Sequence, residues 1–229
     1  MTQEITTVLF DLDDTLCEYR QSVGDVLEIA HEEIGIEPLF EPAEYVARYD
    51  EFAEKTDSSE QLRRECFSTL AAEHDRDPDL GRAVARAYSR ERDQTDVRPF
   101  PGAIETLETL SESHSLGLIT NGVPDAQRPK LDVLGLEPYF DIVLFAGSEL
   151  PAKPARAAFD HALDHLGSTA ARSVHVGNSL ESDVVGAQRA GIDAIWFVPY
   201  QHAGIKPDPR PAYTVESIPE VLDVVESSL

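Results

Sequence analysis

The 229-residue sequence predicts an α/β fold, in which a doubly wound, mostly parallel sheet forms a Rossmann-like three-layer core with an inserted all-helical domain. Short apolar runs alternate with helical patterns in the C-terminal part, which is typical of parallel strands covered by helices on both faces. By contrast, residues 17–96 carry only helical patterns and no run typical of a strand. We therefore predict a core of residues 1–16 and 97–229 and a helical domain of residues 17–96.

Each predicted strand is a short apolar run followed by polar or small residues. The predicted strands are residues 5–10, 115–120, 142–145, 174–176 and 194–198, with a weak last strand near Tyr213. In the inserted segment apolar residues recur three and four positions apart, which predicts helices over residues 22–34, 42–55, 59–74 and 78–92. Residues 98–102 predict a turn where the chain returns to the core, ahead of a helix over 103–111, and a closing helix is expected from Pro219.

The chain is strongly acidic. Asp and Glu number 43 against 19 Lys and Arg, of which only four are lysines, and the formal net charge is −24. A surface of this sign repels nucleic acids and anionic lipids, so we expect neither nucleic acid nor membrane as a partner. The acidic, lysine-poor composition resembles that of proteins from salt-loving organisms, which favours a halophilic protein.

The sequence also predicts where the protein is found. Its apolar stretches are too short to cross a bilayer, and its first residues lack the basic region of a signal peptide. We therefore expect a cytoplasmic protein, in which Cys17 and Cys66 are reduced, because neither has the spacing partners of a zinc or redox site. The sequence indicates no oligomeric state.

The first candidate site follows the first predicted strand, where Asp11, Asp13 and Thr15 alternate with other residues. Doubly wound sheets bind ligands at the carboxyl ends of their strands. Two carboxylates so close together repel each other unless a cation or a substrate neutralises them, which indicates a metal site or a shifted pKa. The alternative interpretation is a turn rich in Asp.

Three further strand ends carry polar groups. One predicted strand ends in Thr120, Asn121 and Gly122, and another is followed by residues 177–183. Between these two strands in the sequence, Lys153 lies between two prolines and before a predicted helix. Each alone fits a turn, a surface charge or a helix cap. Because the ends of parallel strands meet at one edge of a sheet, the groups together predict an anion-binding pocket with its own counter-charges.

These motifs, in this order, resemble those of the haloacid dehalogenase-like hydrolase superfamily over nearly the whole predicted core. The resemblance implies that Asp11 is the nucleophile and Asp13 the general acid and base. It implies that Thr120 and Lys153 bind the phosphoryl oxygens, with Asn121 and Gly122 beside them. It further implies a magnesium ion, for which the candidate ligands are Asp11, Asp13, Asn178 and Asp183. Residues 17–96 fit, in position and size, the helical cap of the phosphatase branch.

The resemblance implies magnesium-dependent hydrolysis of a small-molecule phosphate monoester. Asp11 would attack the phosphorus and form an aspartyl-phosphate, while Lys153 offsets the phosphoryl charge. Asp13 would protonate the leaving oxygen and then deprotonate the attacking water. Asp13 comes two residues after Asp11, so we expect both side chains to lie on the same side of an extended strand. A helical lid would close over the strand ends and exclude water.

Asn178 departs from the pattern, because phosphatases of this family usually have Asp at that place. The change removes one negative charge from the candidate metal ligands and is similar to the dehalogenase branch, although that branch lacks the counterpart of Asp13. The alternatives are therefore a phosphomutase or phosphotransferase, a 2-haloacid dehalogenase, and a protein that binds a phosphorylated ligand without catalysis.

Other candidate residues have simpler interpretations. His161 and His165 lie four residues apart, but the zinc protease pattern needs Glu at position 162, so we expect both to face solvent. Arg63 and Arg64 fit either an anionic leaving group or, more commonly, a solvated surface patch. Trp196 is predicted to lie in a buried strand.

Overall fold

The computed structural model describes residues 4–53, 55–148, 150–199 and 207–227. The chain forms two compact units. The first comprises residues 1–18, 98–121 and 134–229, and the second comprises residues 19–97 and 122–133. Across the described ranges, no helix has the length and apolar character needed to span a membrane.

The first unit is built on a six-stranded parallel sheet in the order β5-β4-β1-β6-β7-β8. The strands of the protein are β1 Thr7–Phe10, β2 Cys17–Tyr19, β3 Val97–Pro99, β4 Ser115–Thr120, β5 Ile142–Phe145, β6 Ser173–Gly177, β7 Asp193–Phe197 and β8 Tyr213–Val215. Strand β1 is wholly buried and pairs with β4 on one side and β6 on the other, so the strand order reverses there. This reversal is the place at which doubly wound sheets bind ligands.

Helices cover both faces of this sheet. The α-helices are α1 Val23–Ile34, α2 Pro42–Ala53, α3 Ser59–Glu73, α4 Pro78–Glu91, α5 Ala103–Ser111, α6 Pro124–Leu134, α7 Ala157–Leu166, α8 Gly186–Arg189 and α9 Glu220–Glu226. Phe159 of α7 and Ala187 of α8 pack with Leu9 of β1 and Ile119 of β4 in one apolar cluster. The predicted α/β fold class and the six predicted strands are confirmed.

The second unit consists of α1 to α4 together with most of α6. Two of its helices begin directly after residues that are typical helix N-caps. Ser22 forms a capping box with Asp25, and Asp77 caps α4, which has proline at its first position. Helices α3 and α4 cross closely because residue 81 is glycine, since a Cβ there would lie 2.2 Å from the carbonyl oxygen of Phe67.

The structure differs from the sequence expectations in two places. Residues 17–96 were expected to contain no strand, but β2 lies there and pairs with β3, which occupies part of the expected turn. Three paired residues are too short a run to be detected by periodicity. Residues 122–133, expected with the core, contribute Val123 and Ala126 to the apolar cluster of the helical unit. Helix α7 begins at Ala157, so Lys153 lies before the helix, as expected.

Candidate active site

Asp11 lies directly after β1, at the carboxyl edge of the sheet. Its main-chain N–H donates a hydrogen bond to the carbonyl oxygen of Val176 in β6 (2.9 Å), and the residue is only 6% exposed. Burial raises the pKa of the Asp11 carboxyl, the nearby Lys153 lowers it, and the negative charges of Asp183 and Asp13 raise it, to a net value of about 7. A carboxyl group with this pKa is only partly ionised at neutral pH. The positive charge of Lys153 therefore does not fully offset the cost of burying the carboxylate.

Lys153 joins two buried carboxylates. Its Nζ lies 2.7 Å from Oδ1 of Asp11 and 2.7 Å from Oδ1 of Asp183, and the residue is 2% exposed. Burial disfavours the charged ammonium group, but attraction to Asp11 and Asp183 outweighs this and raises the pKa of Lys153. The ammonium group therefore keeps its charge at neutral pH. When both carboxylates are ionised, the three groups carry a net charge of −1.

Asn121 fixes the main chain of Lys153. Its Nδ2 donates to the carbonyl oxygen of Lys153 (2.9 Å), and its Oδ1 accepts from the N–H of Lys153 (2.8 Å). The neighbouring Thr120, the last residue of β4, is 1% exposed. The structure thus brings Thr120, Asn121 and Lys153 to one edge of the sheet, whereas Gly122 belongs to the helical unit. At position 122 a Cβ would overlap the side chain of Gln127.

Asp183 lies in a π-helical segment, Leu180–Val185, which Ser179 caps. Its Oδ1 accepts hydrogen bonds from Lys153 and from Nε2 of His175 (3.0 Å), and its Oδ2 accepts from the N–H of Ser179 (3.0 Å). Although burial would raise its pKa, Lys153 and His175 hold the pKa of Asp183 well below its usual range. This approach needs glycine at position 177, where a Cβ would lie 2.2 Å from Cγ of Asp183.

Thr15 links Asp11 to Asn178. Its Oγ1 lies 3.2 Å from Oδ2 of Asp11 and 3.3 Å from Oδ1 of Asn178. A threonine hydroxyl has one hydrogen, so it can donate to only one of these two oxygens at a time. The main-chain carbonyl of Asn178 accepts a hydrogen bond from Nε1 of Trp196 (2.8 Å), which fixes the loop after β6.

Asp13 lies beyond the end of β1 and forms an isolated β-bridge with Cys17, and its place on the same side of the chain as Asp11 stays a prediction. Strand β1 ends at Phe10, and the chain then turns through Asp14, whose φ is 56°, so that the N–H of Asp14 donates to the carbonyl oxygen of Cys17 (2.8 Å). Asp13 is half-buried in this turn. It is near enough for its charge to contribute to the raised pKa of Asp11.

Sequence reasoning missed His175, which lies at the centre of β6 and is fully buried. The available signal was a polar residue between Val174 and Val176 in a strand buried on both faces, because such a residue needs a hydrogen-bond partner. Thr15 was recognised in the motif but was not assigned to the site. The structure places its hydroxyl group 3.2 Å from Oδ2 of Asp11, the candidate nucleophile.

The structure also shows the surroundings of the histidine, tryptophan and arginine residues that were considered as other candidates. His161 and His165 are exposed, as expected, and Trp196 is buried in β7. Arg64 is exposed, but Arg63 is 6% exposed, so the interpretation of both arginines as a solvated patch is wrong. Arg63 lies over the ring of Tyr88 and donates to Ser89 in the helical unit, which explains its burial.

The oxygens around Asp11 fit a hard divalent cation. Such cations prefer carboxylate, amide and main-chain oxygens. Oδ2 of Asp11 and Oδ1 of Asn178 share a single hydroxyl hydrogen, so one of them always has capacity for another partner, and the buried charges sum to −1. Within the described segments, no three His, Cys, Asp or Glu side chains are grouped to hold a metal. A cation here therefore needs amide or main-chain oxygens as well as carboxylates.

Comparison with known proteins identifies relatives over most of the chain. Glyceraldehyde 3-phosphate phosphatase of Methanocaldococcus jannaschii is 28% identical over 235 residues, which covers 97% of this chain and 98% of that protein. Ribulose-1,5-bisphosphate 5-phosphatase of Halopiger xanaduensis is 31% identical over 222 residues, which covers 86% of this chain and 87% of that protein.

A solved structure shares the fold. The putative HAD-hydrolase YfnB of Bacillus subtilis, described as bound to magnesium, superposes with a TM-score of 0.74 at 23% identity and covers 98% of this chain and 100% of that chain. The family model for haloacid dehalogenase-like hydrolases matches residues 5–191. With the motifs, the fold and this match in agreement, the chain belongs to the haloacid dehalogenase-like hydrolases.

Proposed function

We propose that the chain is a phosphatase that hydrolyses a small-molecule phosphate monoester with magnesium, through an aspartyl-phosphate on Asp11. The observation that carries the proposal is the buried Lys153, whose Nζ lies 2.7 Å from both Asp11 and Asp183. It places a permanent positive charge against the candidate nucleophile at a strand end. The two relatives described above, both named as phosphatases, support the same reaction class.

In the first half-reaction a carboxylate oxygen of Asp11 forms a bond to phosphorus as the bond to the leaving oxygen breaks. Lys153 fixes Oδ1 of Asp11 and offsets the charge on the phosphoryl oxygens, and Thr15 lies against Oδ2. The hydroxyl group of Thr120 and main-chain N–H groups after Asp11 would donate hydrogen bonds to the non-transferred oxygens. Asp13 gives its proton to the leaving alkoxide.

In the second half-reaction Asp13 takes a proton from a water molecule, whose oxygen attacks the phosphorus of phospho-Asp11. The bond between phosphorus and the carboxylate breaks, which restores Asp11 and releases inorganic phosphate. Asp13 then holds the proton that the next leaving group needs. Its half-buried position in the turn after β1 gives it access to water that the buried Asp11 lacks.

We propose that Asp11, the main-chain carbonyl of Asp13 and Oδ1 of Asn178 bind the magnesium ion. When bound, the ion supplies positive charge that offsets the phosphoryl oxygens and orients them for in-line attack. Asp183, whose oxygens already accept three hydrogen bonds, would act mainly as the counter-ion of Lys153. This refines the ligand set implied by the family resemblance.

Asn178→Asp is expected to bind magnesium about tenfold more tightly, because it adds one negative charge to the ligand set. Isothermal titration calorimetry with magnesium alone measures the affinity. Gln188→Glu adds the same charge at an exposed position and is expected to leave the affinity unchanged, which controls for the general increase in negative charge. Equal affinities for the Asn178→Asp variant and the unsubstituted chain would show that Asn178 is not a ligand.

A screen of phosphorylated metabolites, with magnesium or with a chelator, tests the proposed function. Release of inorganic phosphate that requires the cation is the expected result. Transfer of the phosphoryl group to a second substrate without phosphate release would indicate a mutase or phosphotransferase. Halide release from a 2-haloacid, the alternative that Asn178 favours, is included as a separate assay. Binding of a phosphate ester without turnover would identify a non-catalytic binding protein, and any of these three results contradicts the proposal.

A further inference from the structure

We propose that His175 is a positioning residue, which holds the Asp183 carboxylate in the one orientation that keeps Lys153 against Asp11. The inference rests on the proposed function, because it assigns Lys153 a role in phosphoryl transfer. His175 itself does not touch the reacting atoms. It would act through two intervening side chains.

A continuous chain of short contacts leads from His175 to the nucleophile. Nε2 of His175 lies 3.0 Å from Oδ1 of Asp183, the same oxygen lies 2.7 Å from Nζ of Lys153, and Nζ lies 2.7 Å from Oδ1 of Asp11. None of the four residues is more than 6% exposed. Water therefore cannot substitute for a lost partner at low cost, which makes each contact stronger than on the surface.

The imidazole is a rigid anchor for this chain. His175 lies in the middle of β6, opposite Leu9 of β1 and Ala194 of β7, so its main chain is held by strands on both sides. Its ring meets the ring of Phe159 edge to face, with centroids 5.0 Å apart. An ionised carboxylate only accepts hydrogen bonds, so Nε2 must carry a hydrogen that it donates to Asp183.

Lys153, by contrast, has a flexible four-carbon side chain. The position of its ammonium group is therefore set by the carboxylate oxygens that it contacts. Oδ1 of Asp183 receives hydrogen bonds from both Lys153 and His175. Without His175, the Ser179 N–H at Oδ2 would be the only neutral donor to this carboxylate among the residues that the structure describes, and Asp183 could rotate together with Lys153. The ammonium group would then be displaced from its place beside Asp11. Substrate could still bind, but the attack geometry would be lost.

Three substitutions separate the hydrogen bond from packing. His175→Gln places an amide N–H where Nε2 lies, whereas His175→Asn has the same functional group but is one methylene too short to reach Asp183. His175→Leu is of similar size and has no donor. We would measure kcat and KM for an aryl phosphate with magnesium, the affinity for inorganic phosphate with magnesium by calorimetry, and the thermal unfolding midpoint.

His175→Gln is expected to keep kcat within about threefold of the unsubstituted enzyme, whereas the Asn and Leu variants lose about 10- to 100-fold, the range for a buried hydrogen bond to a charged group. KM is expected to stay unchanged in the Gln variant and to rise in the Asn and Leu variants, because Lys153 would also contact the phosphoryl oxygens of the substrate. Inorganic phosphate, which Lys153 would contact, is expected to bind more weakly to the Asn and Leu variants than to the Gln variant. The unfolding midpoints of the Gln and Asn variants should agree closely.

Equal kcat for the Gln and Asn variants, or a Leu variant as active as the unsubstituted enzyme, would overturn the role of His175 while leaving the phosphatase proposal intact. An inactive unsubstituted enzyme would refute the proposed function instead. If the unsubstituted enzyme is inactive, the affinities for inorganic phosphate still test the role of His175. Equal affinities across the three variants would contradict that role.

Discussion

Asp11→Asn and Asp13→Asn are each expected to lose at least about 99% of the steady-state turnover of an aryl phosphate in magnesium buffer, about 10²-fold or more, but to block the reaction at different steps. An amide at position 11 is not a nucleophile, so Asp11→Asn should form no covalent intermediate at all. Loss of a covalent nucleophile costs about 10⁴-fold or more, whereas loss of a general base costs about 10²- to 10⁴-fold. Asp11→Asn is therefore expected to have the larger effect.

Asp13→Asn should still form the intermediate. An aryl oxide is a good leaving group that needs little protonation, so the first half-reaction can proceed without Asp13, while hydrolysis of phospho-Asp11 lacks its base. Rapid mixing should therefore show a burst of one aryl alcohol per active site, and mass spectrometry should find one phosphoryl group on the peptide that contains Asp11. Steady-state turnover after the burst should be about 10²- to 10⁴-fold slower than that of the unsubstituted enzyme.

Asp14→Asn is the matched control for both substitutions. It makes the same change of charge and shape in the same loop, and Asn tolerates the positive φ of 56° at this position. Asp14 is exposed, so the variant is expected to remain as active as the unsubstituted enzyme. Steady-state turnover by Asp11→Asn would refute the nucleophile, and a phosphorylated residue other than Asp11 would do the same. Steady-state turnover by Asp13→Asn within about tenfold of the unsubstituted enzyme would refute the acid and base role.

The fold was predictable because each strand of the sheet is an apolar run that must be buried on both faces. Strands β4 and β5 have the predicted bounds, whereas the strand order, which reverses at β1, was not predicted. The β2 strand could not be predicted in this way. Its three residues are paired by a segment about 80 positions later in the chain, and such a pairing depends on tertiary structure and not on local pattern.

The sequence predicted which strand ends form the candidate site, but not the hydrogen bonds between their side chains. Asp11, Thr120 and Lys153 could be grouped because the ends of parallel strands meet at one edge. The use of Asn121 as a clamp on the main chain of Lys153, and of Asp183 as its counter-ion, depends on side-chain geometry that no spacing encodes. The same limit applies to the turn at Asp14, whose positive φ of 56° no local pattern predicts.

Lys153→Met is expected to remove catalysis and, independently, to destabilise the first unit by about 3–5 kcal/mol, the cost of breaking a buried ion pair by removing one partner. The substitution leaves the carboxylates of Asp11 and Asp183 buried without a cation. Urea unfolding in a chelating buffer measures the free energy of unfolding. Lys55→Met is the matched control, because its ammonium group pairs with Glu51 at the surface and its side chain is 61% exposed, so little change is expected.

The sign of the pH dependence distinguishes this electrostatic cost from a loss of packing. In Lys153→Met the pKa of the buried Asp11, already raised to about 7, should rise further, so the folded state binds more protons than the unfolded state above the usual pKa of an aspartate. Stability of the variant therefore increases as pH falls, and its deficit should be smaller at pH 5 than at pH 8. Adding Asp183→Asn removes one of the two uncompensated charges and should recover part of the stability at pH 8 without restoring turnover. A deficit that is the same at both pH values, and unaffected by the second substitution, would mean that Lys153 stabilises the fold through its packing and not through its charge.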